Sequence, residues 1–299
     1  MKKKKVIKIM MIVCLLSALG CGGYLAYYYY GSYKSEKDVA MLRSMIGIED
    51  ENGELKQEGW DETDLRSDRE ESKKEEQDET AMESSVEEKA NQSVVQEITD
   101  GKKIQKKFEK LYQANHDFAG WITIEDTNID YPVMYTPDDY ERGEYYIHRD
   151  FEGSYSAAGL PFIDAHCRID SPTDNLIVYG HNMNSGKMFH DILKYEDKDF
   201  YERHKTFRFD TIYEDGTYEV VAMFYGQILE ESSEAFKYYE FVNAGGEEEF
   251  MDFVEHIKEM SITDTGVDVE YGDKLITLST CAYHVEDGRF AVIAKKCDK

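Results

Sequence analysis

Short apolar runs with alternating polar positions, each ended by Gly, Asp or Asn, dominate the chain after residue 101. Runs of this length that are rich in β-branched and aromatic residues predict β-strands. The predicted strands are residues 120–124, 129–135, 160–163, 175–179, 206–213, 217–227, 274–280 and 289–295. Many short strands separated by turn signals favour a closed or nearly closed β-barrel.

Apolar residues at helical spacing interrupt this β pattern in three places, residues 104–112, 187–195 and 247–260. The third segment carries a stripe at i, i+3, i+4 and i+7, which is one face of an amphipathic helix. We therefore predict a mainly β fold with helical insertions (α+β). It has a barrel of about eight strands, an N-terminal helix, and a helix before the last two strands.

The last two predicted strands form a hairpin, because Asp287-Gly288 is a strong turn signal. Their antiparallel pairing brings Cys281 and Arg289 to the same end of the sheet. A thiol needs a base to become a nucleophile, since a free cysteine with a pKa near 8.5 is only slightly ionised at neutral pH. His181 follows strand 175–179 and a glycine turn, and is the candidate base.

Other interpretations of these three residues exist. A cysteine after a strand is often a small buried hydrophobe, and Arg289 could be a surface residue paired with a carboxylate. Of the eight histidines, His284 is the main rival to His181, because it lies three residues from Cys281. Three of the five cysteines lie beyond the N-terminal apolar segment, and this odd number favours at least one free thiol over a disulfide framework.

The N-terminus predicts a membrane anchor, residues 1–31. Four lysines precede an apolar run, and 22 positions from Ile9 to Tyr30 carry no charge. A helix of that length crosses about 30 Å of hydrocarbon, and the lysines place its start in the cytoplasm. A cleaved signal peptide, or a lipoprotein signal ending at Cys21, is the alternative.

Residues 32–101 predict an acidic, mostly disordered stalk outside the cell. Positions 49–100 hold 20 acidic and 6 basic side chains with Trp60 as the single aromatic residue. Such a segment buries too little apolar area to offset its conformational entropy. Residues 102–299 then form the catalytic domain. The net charge of −27 argues against a nucleic-acid partner.

Several short motifs resemble the sortases, the cysteine transpeptidases of Gram-positive cell surfaces. They are YGHNM around His181, TLSTC ending at Cys281, an arginine eight residues later, and the upstream GWI, DYPV and SAAG segments. The resemblance covers about residues 104–296. The long helix before the cysteine strand is similar to class B rather than class A.

The resemblance implies a membrane-bound enzyme with the catalytic residues Cys281, His181 and Arg289, and the substrate-side residues Ser279, Thr280 and Tyr179. It further implies surface proteins with a C-terminal, NPQTN-like sorting motif as substrates and a peptidoglycan amine as acceptor. No cofactor or metal is expected. Tyr283 stands where some class B members carry an acidic residue, so no Cys-His-Asp triad is assigned. A membrane-tethered cysteine peptidase, or a non-catalytic surface binding module, is the alternative function.

Overall fold

The structure is a computed structural model that describes residues 102–137, 144–230 and 232–297, residues 36–46, and the positions 17, 20, 22, 23, 34, 48–49 and 55–56. The predicted anchor and stalk lie mostly outside the described residues. Among the residues described, no helix combines the length and apolar character that a membrane crossing needs. Residues 36–44 are helical.

Eight strands of the described region form a closed barrel, as the sequence predicts. They are β1 Phe118–Thr123, β2 Asp130–Met134, β3 Phe162–Ile163, β4 Asn175–Tyr179, β5 Thr206–Thr211, β6 Thr217–Gln227, β7 Leu275–Cys281 and β8 Gly288–Lys296. Their order around the barrel is β8, β6, β5, β1, β2, β3, β4, β7, and β7 closes the ring on β8. The pairs β2–β3 and β4–β7 are parallel, and the other pairs are antiparallel. Separately, the two-residue strands Ile48–Glu49 and Leu55–Lys56 pair with each other.

In the described part of the chain after residue 102, two helical segments precede the first barrel strand, and the others lie between strands. The α-helices are α1 Glu109–Ala114, α2 Lys198–Arg203 and α3 Glu247–Met260, and the 3-10 helices are Lys106–Phe108, Tyr145–His148, Phe189–Glu196 and Tyr238–Glu240. Helix α3 has the predicted bounds and precedes the cysteine strand β7. It buries Phe250, Phe253, Val254 and Ile257 against the outside of the barrel.

The segment predicted as a helix over residues 187–195 is instead a 3-10 helix, Phe189–Glu196, followed by α2. Its three fully buried side chains, Phe189, Ile192 and Tyr195, recur at every third position. A 3-10 helix has three residues per turn, so this spacing puts all three on one face. The spacing of the buried apolar residues therefore fits a 3-10 helix better than an α-helix in this segment.

Alternation along β7 and β8 divides their side chains between two environments. Ile276, Leu278, Phe290 and Val292 face the barrel interior. Leu275, Ala291 and Ile293 face outward and pack in the layer beneath α3. Since side chains alternate strictly along a strand, Ser279, Cys281 and Arg289 also point outward. We call this side of β4, β7 and β8 the outer face.

The helix at residues 36–44 packs against the barrel beside the loop that follows β4. Glu36 forms an ion pair with Lys187 at 3.0 Å, and Arg43 forms one with Asp130 at the start of β2. Leu42 is buried between these two contacts. This helix thus contacts both the start of β2 and the loop after β4.

A buried amide holds the β6–α3 connection to the barrel. Asn175 is fully buried, donates to the Phe241 carbonyl at 2.9 Å, and accepts from the Thr277 hydroxyl at 3.0 Å. Replacing it by alanine leaves two polar groups without partners in a low-dielectric site. The connection that it fixes runs past the outer face.

We expect Asn175→Ala to lower the free energy of unfolding by about 2–4 kcal/mol, because unpaired buried polar groups are costly. Urea denaturation followed by fluorescence measures this change. Asn243→Ala is the matched control, since Asn243 accepts one hydrogen bond from the Asp174 amide at an exposed position. An equal loss in both variants would contradict the assignment of the cost to burial.

Candidate active site

Cys281 is the last residue of β7, and its side chain is half-buried. It lies directly opposite Arg289, the second residue of β8. The next pair along the hairpin, Ala282 and Gly288, shares the ladder hydrogen bond, at 2.9 Å. Cys281 and Arg289 are therefore a non-hydrogen-bonded pair, whose α-carbons lie about 4.5 Å apart and whose side chains are close. The structure thus places the two residues side by side on the outer face, where the Arg289 guanidinium donates to the Gly288 carbonyl at 3.0 Å.

The turn that carries His181 is fixed to β7 by hydrogen bonds. The parallel ladder of β4 and β7 pairs Tyr179 with Ser279. Beyond it, the Gly180 amide donates to the Ser279 carbonyl at 3.1 Å, and the Thr280 hydroxyl donates to the Gly180 carbonyl at 2.6 Å. His181 and Cys281 each follow by one or two residues, so both lie at the same end of the two strands.

Residue 180 must be small because the ring of Phe189 lies against it. A β-carbon on Gly180 would come within 2.6 Å of that buried ring. The Phe189 amide in turn donates to the His181 carbonyl at 2.8 Å, and Asn182 forms a β-bridge with Met188. We call residues 180–188 the histidine loop, and these contacts close it into a compact turn.

The imidazole of His181 has a fixed orientation. Its Nε2 lies 2.7 Å from the Ile147 carbonyl, and its ring stacks on His148 with centroids 5.1 Å apart. A carbonyl oxygen only accepts, so Nε2 carries a proton whatever the charge of the ring. Nδ1 is therefore the nitrogen that can gain or lose a proton.

The pKa of His181 lies below its ordinary value. Burial is the main cause because it disfavours the charged ring, and the neighbouring His148 acts in the same direction. The hydrogen bond to the Ile147 carbonyl opposes this shift. The neutral imidazole, which can accept a proton at Nδ1, is thereby favoured.

The three residues predicted to contact substrate have internal partners. The Ser279 hydroxyl bonds to Tyr238 at 2.9 Å, and the Tyr179 hydroxyl donates to Asp164 at 3.2 Å. Burial raises the pKa of Tyr179 well above its usual range. Thr280 points to the opposite face from Cys281, where its hydroxyl ties β7 to the histidine loop. Their roles toward substrate stay predictions.

Two residues near the site were not singled out from the sequence. Tyr238 is buried beside Gly226, and its pKa is raised to about 12 by burial, while the nearby positive charge of Arg289 opposes the shift. It lies in a connection with no repeating pattern, so nothing in the sequence marks it. Asn182 donates to the Cys281 carbonyl at 2.8 Å. Its position directly after His181 is the signal that could have identified it.

The rival histidine, His284, and the second cysteine of the barrel, Cys167, lie elsewhere. The His284 ring packs against Tyr225 with centroids 4.7 Å apart. Tyr225 pairs with Phe290, which faces the barrel interior, so His284 lies on the side opposite Cys281. Cys167 is fully buried, and burial raises the pKa of its thiol to about 12. A buried thiol in this state is a poor nucleophile.

Comparisons with known proteins identify the family. No family model matches the chain. Sortase B of Listeria monocytogenes serovar 1/2a (strain ATCC BAA-679 / EGD-e) is 33% identical over 199 residues, which are 66% of this chain and 76% of the relative. The chain belongs to the sortase B family. The enzyme is accordingly a cysteine transpeptidase of the cell envelope.

Solved structures agree with this assignment. A Staphylococcus aureus sortase B–substrate complex matches this sortase with a TM-score of 0.57 and 26% identity, covering 71% of this chain and 94% of the other. A sortase B complexed with triglycine matches with a TM-score of 0.58 and 26% identity, covering 72% and 97%. The closed mixed barrel is therefore the sortase B fold.

The carbonyl that orients His181 lies against Gly159, whose lack of a side chain leaves room for it. This glycine has a φ of +57°, and a β-carbon on it would lie 2.2 Å from the Ile147 oxygen. We expect Gly159→Ala to displace that carbonyl and to lower kcat/KM by about tenfold to a hundredfold, because small misplacements of a catalytic group are costly. Steady-state kinetics of peptide cleavage measures this loss.

Gly266→Ala separates this effect from backbone strain. Gly266 has a similar φ of +66° but no atom near the added β-carbon. Both variants should lose roughly 1–2 kcal/mol of stability from the left-handed backbone. Only Gly159→Ala should lose activity, and equal activity in the two variants would refute the role of the Ile147 carbonyl.

The lowered pKa of His181 predicts the acid side of the pH profile. The imidazole must be neutral at Nδ1 to take the proton of the thiol, and below its own pKa the ring is charged and cannot do so. Because that pKa is depressed, kcat/KM should fall with acid only below about pH 6.5, the ordinary histidine value. Kinetics between about pH 4 and 9 measure the midpoint, since that interval spans the ordinary histidine pKa.

His148→Phe should move this midpoint to higher pH, because the variant keeps a flat ring against His181 and removes a neighbouring positive charge. His256→Gln, on α3, is the control and should leave the midpoint unchanged. A midpoint above pH 6.5 in the unchanged enzyme would contradict the depressed pKa.

Proposed function

We propose that this sortase cleaves a C-terminal, NPQTN-like sorting motif of surface proteins and joins them to a peptidoglycan amine. Cys281 is the nucleophile, His181 the acid and base, and Arg289 the donor to the reacting carbonyl oxygen. One observation carries the assignment. Cys281 lies beside Arg289 on the outer face, and hydrogen bonds fix the His181 turn to the same strand end.

In the first half-reaction the Cys281 thiolate attacks the carbonyl carbon of the substrate threonine. The tetrahedral intermediate places a negative charge on oxygen, which the Arg289 guanidinium stabilises. The carbon–nitrogen bond then breaks, and His181 gives the proton on Nδ1 to the departing amine. The product is a thioester between the threonine acyl group and Cys281.

In the second half-reaction an amine attacks the thioester, and His181 takes its proton at Nδ1. The carbon–sulfur bond breaks, the thiolate is restored, and a new amide joins the surface protein to the acceptor. The Staphylococcus aureus sortase B solved with substrate and the sortase B complexed with triglycine support this sequence of substrates. Triglycine presents a free amine of the kind that the second step needs.

The substrate peptide is proposed to lie along the outer face of β4 and β7. Tyr179 and Ser279 form neighbouring positions of its floor, since the parallel ladder pairs them. The 3-10 helix Tyr238–Glu240 lies over the β6–β8 edge, with Tyr238 bonded to Ser279. Thr280 supports the site from the opposite face of β7, where its hydroxyl donates to the Gly180 carbonyl of the histidine loop.

The arrangement in the cell follows from the domain division 1–31, 32–101 and 102–299. We propose that residues 1–31 anchor the enzyme as a single membrane crossing with a cytoplasmic N-terminus, and that residues 32–101 form an acidic stalk. The uncharged run of 22 residues and its preceding lysines support the anchor. The catalytic domain would then face the cell wall.

Quenched fluorescent peptides with NPQTN-like and LPXTG-like motifs test the function. The full-length enzyme is incubated with each peptide, with and without triglycine, beside Cys281→Ala and Arg289→Ala. We expect a product that carries triglycine, no product with Cys281→Ala, and a rate about 10²–10³ lower with Arg289→Ala, the usual cost of one lost oxyanion donor. Mass spectrometry identifies the products.

Two other outcomes would overturn the proposal. Hydrolysed acid alone, with several amines tried, would indicate a peptidase. No cleavage of either peptide, together with a Cys281 thiol no more reactive than that of Cys167, would indicate a binding module.

A further inference from the structure

The β4–β7 ladder continues past the end of β4 through a side chain. In this parallel ladder the Gly180 amide bonds to the Ser279 carbonyl, so the next rung should join residue 182 to the Cys281 carbonyl. The chain turns at Gly180 and β4 has ended, so the main-chain amide does not take this place. The side-chain amide of Asn182 takes it, with Nδ2 at 2.8 Å from the Cys281 oxygen.

His190 determines which end of the Asn182 amide faces Cys281. Its Nδ1 lies 2.7 Å from the Asn182 Oδ1. Since an amide oxygen only accepts, His190 donates from Nδ1. The side-chain NH₂ group of Asn182 must then point to the Cys281 carbonyl. A second proton on His190 would bind at Nε2 and leave this hydrogen bond in place. His190 belongs to the 3-10 helix Phe189–Glu196, whose buried face anchors it in the core.

We propose that Asn182, oriented by His190, is a positioning residue that holds the main chain of the nucleophile Cys281 at a fixed distance from His181. This inference rests on the proposed function and deepens it. Asn182 is the residue next to His181 and bonds the residue that bears the thiol, so one side chain links the two reacting groups. Cys281 needs this link because β7 ends there and the β7–β8 loop follows.

The same loop offers a matched comparison. Asn128 donates its side-chain amide to the Gly186 carbonyl of the histidine loop at 3.0 Å, whereas Asn182 donates to the Cys281 carbonyl. Asn128→Ala therefore removes one amide hydrogen bond from the same loop without touching the thiol strand. A merely structural role of Asn182 predicts equal behaviour of the two alanine variants.

Asn182→Asp is the sharpest test, because it keeps the shape and the hydrogen bond from His190 but removes the donor to the Cys281 carbonyl. In the peptide-transfer assay with triglycine, we expect kcat to fall about tenfold to a hundredfold, with KM changed less than about threefold, because misplacement affects the transition state more than binding. Asn182→Ala should behave similarly. Asn128→Ala should keep the kcat of the unchanged enzyme.

The His190 variants test the orienting step. His190→Ala should lower kcat by less than Asn182→Asp does. His190→Asn should keep most of the kcat that His190→Ala loses, since the side-chain NH₂ group of asparagine can occupy the place of Nδ1. In the double variant Asn182→Ala/His190→Ala the losses should not add, because both act through one contact to Cys281.

Alkylation of Cys281 by iodoacetamide, followed by peptide mass mapping, gives a readout that needs no peptide substrate. We expect slower alkylation in Asn182→Asp and an unchanged rate in Asn128→Ala. Thermal unfolding of the full-length variants shows whether each is folded. If Asn182→Ala does not fold, the isosteric Asn182→Asp and the comparison of His190→Asn with His190→Ala still test the positioning role.

The positioning role is refuted if Asn182→Asp keeps both its kcat and its alkylation rate, or if Asn128→Ala loses as much of both. Failure of the proposed function looks different, because the unchanged enzyme then gives no Cys281-dependent transfer. In that case the alkylation rates still report whether Asn182 positions the thiol.

Discussion

Strand β7 is hydrogen-bonded along both edges, to β4 in parallel and to β8 antiparallel. This double pairing closes the barrel, and it also determines which residues meet at the strand's end. The parallel partner, β4, leads into the His181 turn at this end. The antiparallel partner, β8, places Arg289 opposite Cys281. Residues a hundred positions apart in the chain thus meet through backbone geometry. A change of register by one residue would turn Cys281 toward the barrel interior.

The alternation of side chains across β7 and β8 explains why a reactive group can end a strand that is otherwise buried. The inward positions supply the apolar core, and the outward positions are covered by α3 and the β6–α3 connection over most of their length. Near the rim this cover becomes polar, with Tyr238 bonded to Ser279. The apolar core residues and the reactive residues therefore lie on opposite sides of the same two strands.

Much of the fold could be predicted from the sequence because its signals are local. The strands 175–179 and 217–227 and the helix 247–260 were predicted with the observed bounds, since each has a clear period and strong turn residues. The pattern at residues 187–195 does not distinguish an α-helix from the 3-10 helix Phe189–Glu196, because a spacing of three occurs in both. Pairing of Cys281 with Arg289 followed from a tight hairpin, whose register the turn determines.

The rest of the candidate site depends on tertiary contacts that no local pattern records. The partner of His181 is a main-chain carbonyl at position 147, and a carbonyl is present at every residue. The contact between Tyr238 and Ser279 joins an irregular connection to a strand. The face on which His284 lies is decided by its packing on Tyr225. Only the folded chain brings these groups together.

The hydrogen bond from His181 Nε2 to the Ile147 carbonyl affects the whole reaction cycle. Under the proposed mechanism one nitrogen, Nδ1, releases a proton to the departing amine and collects one from the incoming amine. The ring need not flip between the two half-reactions, and its χ angles can stay in one well throughout. The departing and incoming amines must then occupy the same position beside Nδ1, one after the other. The first product therefore has to leave before the acceptor can react.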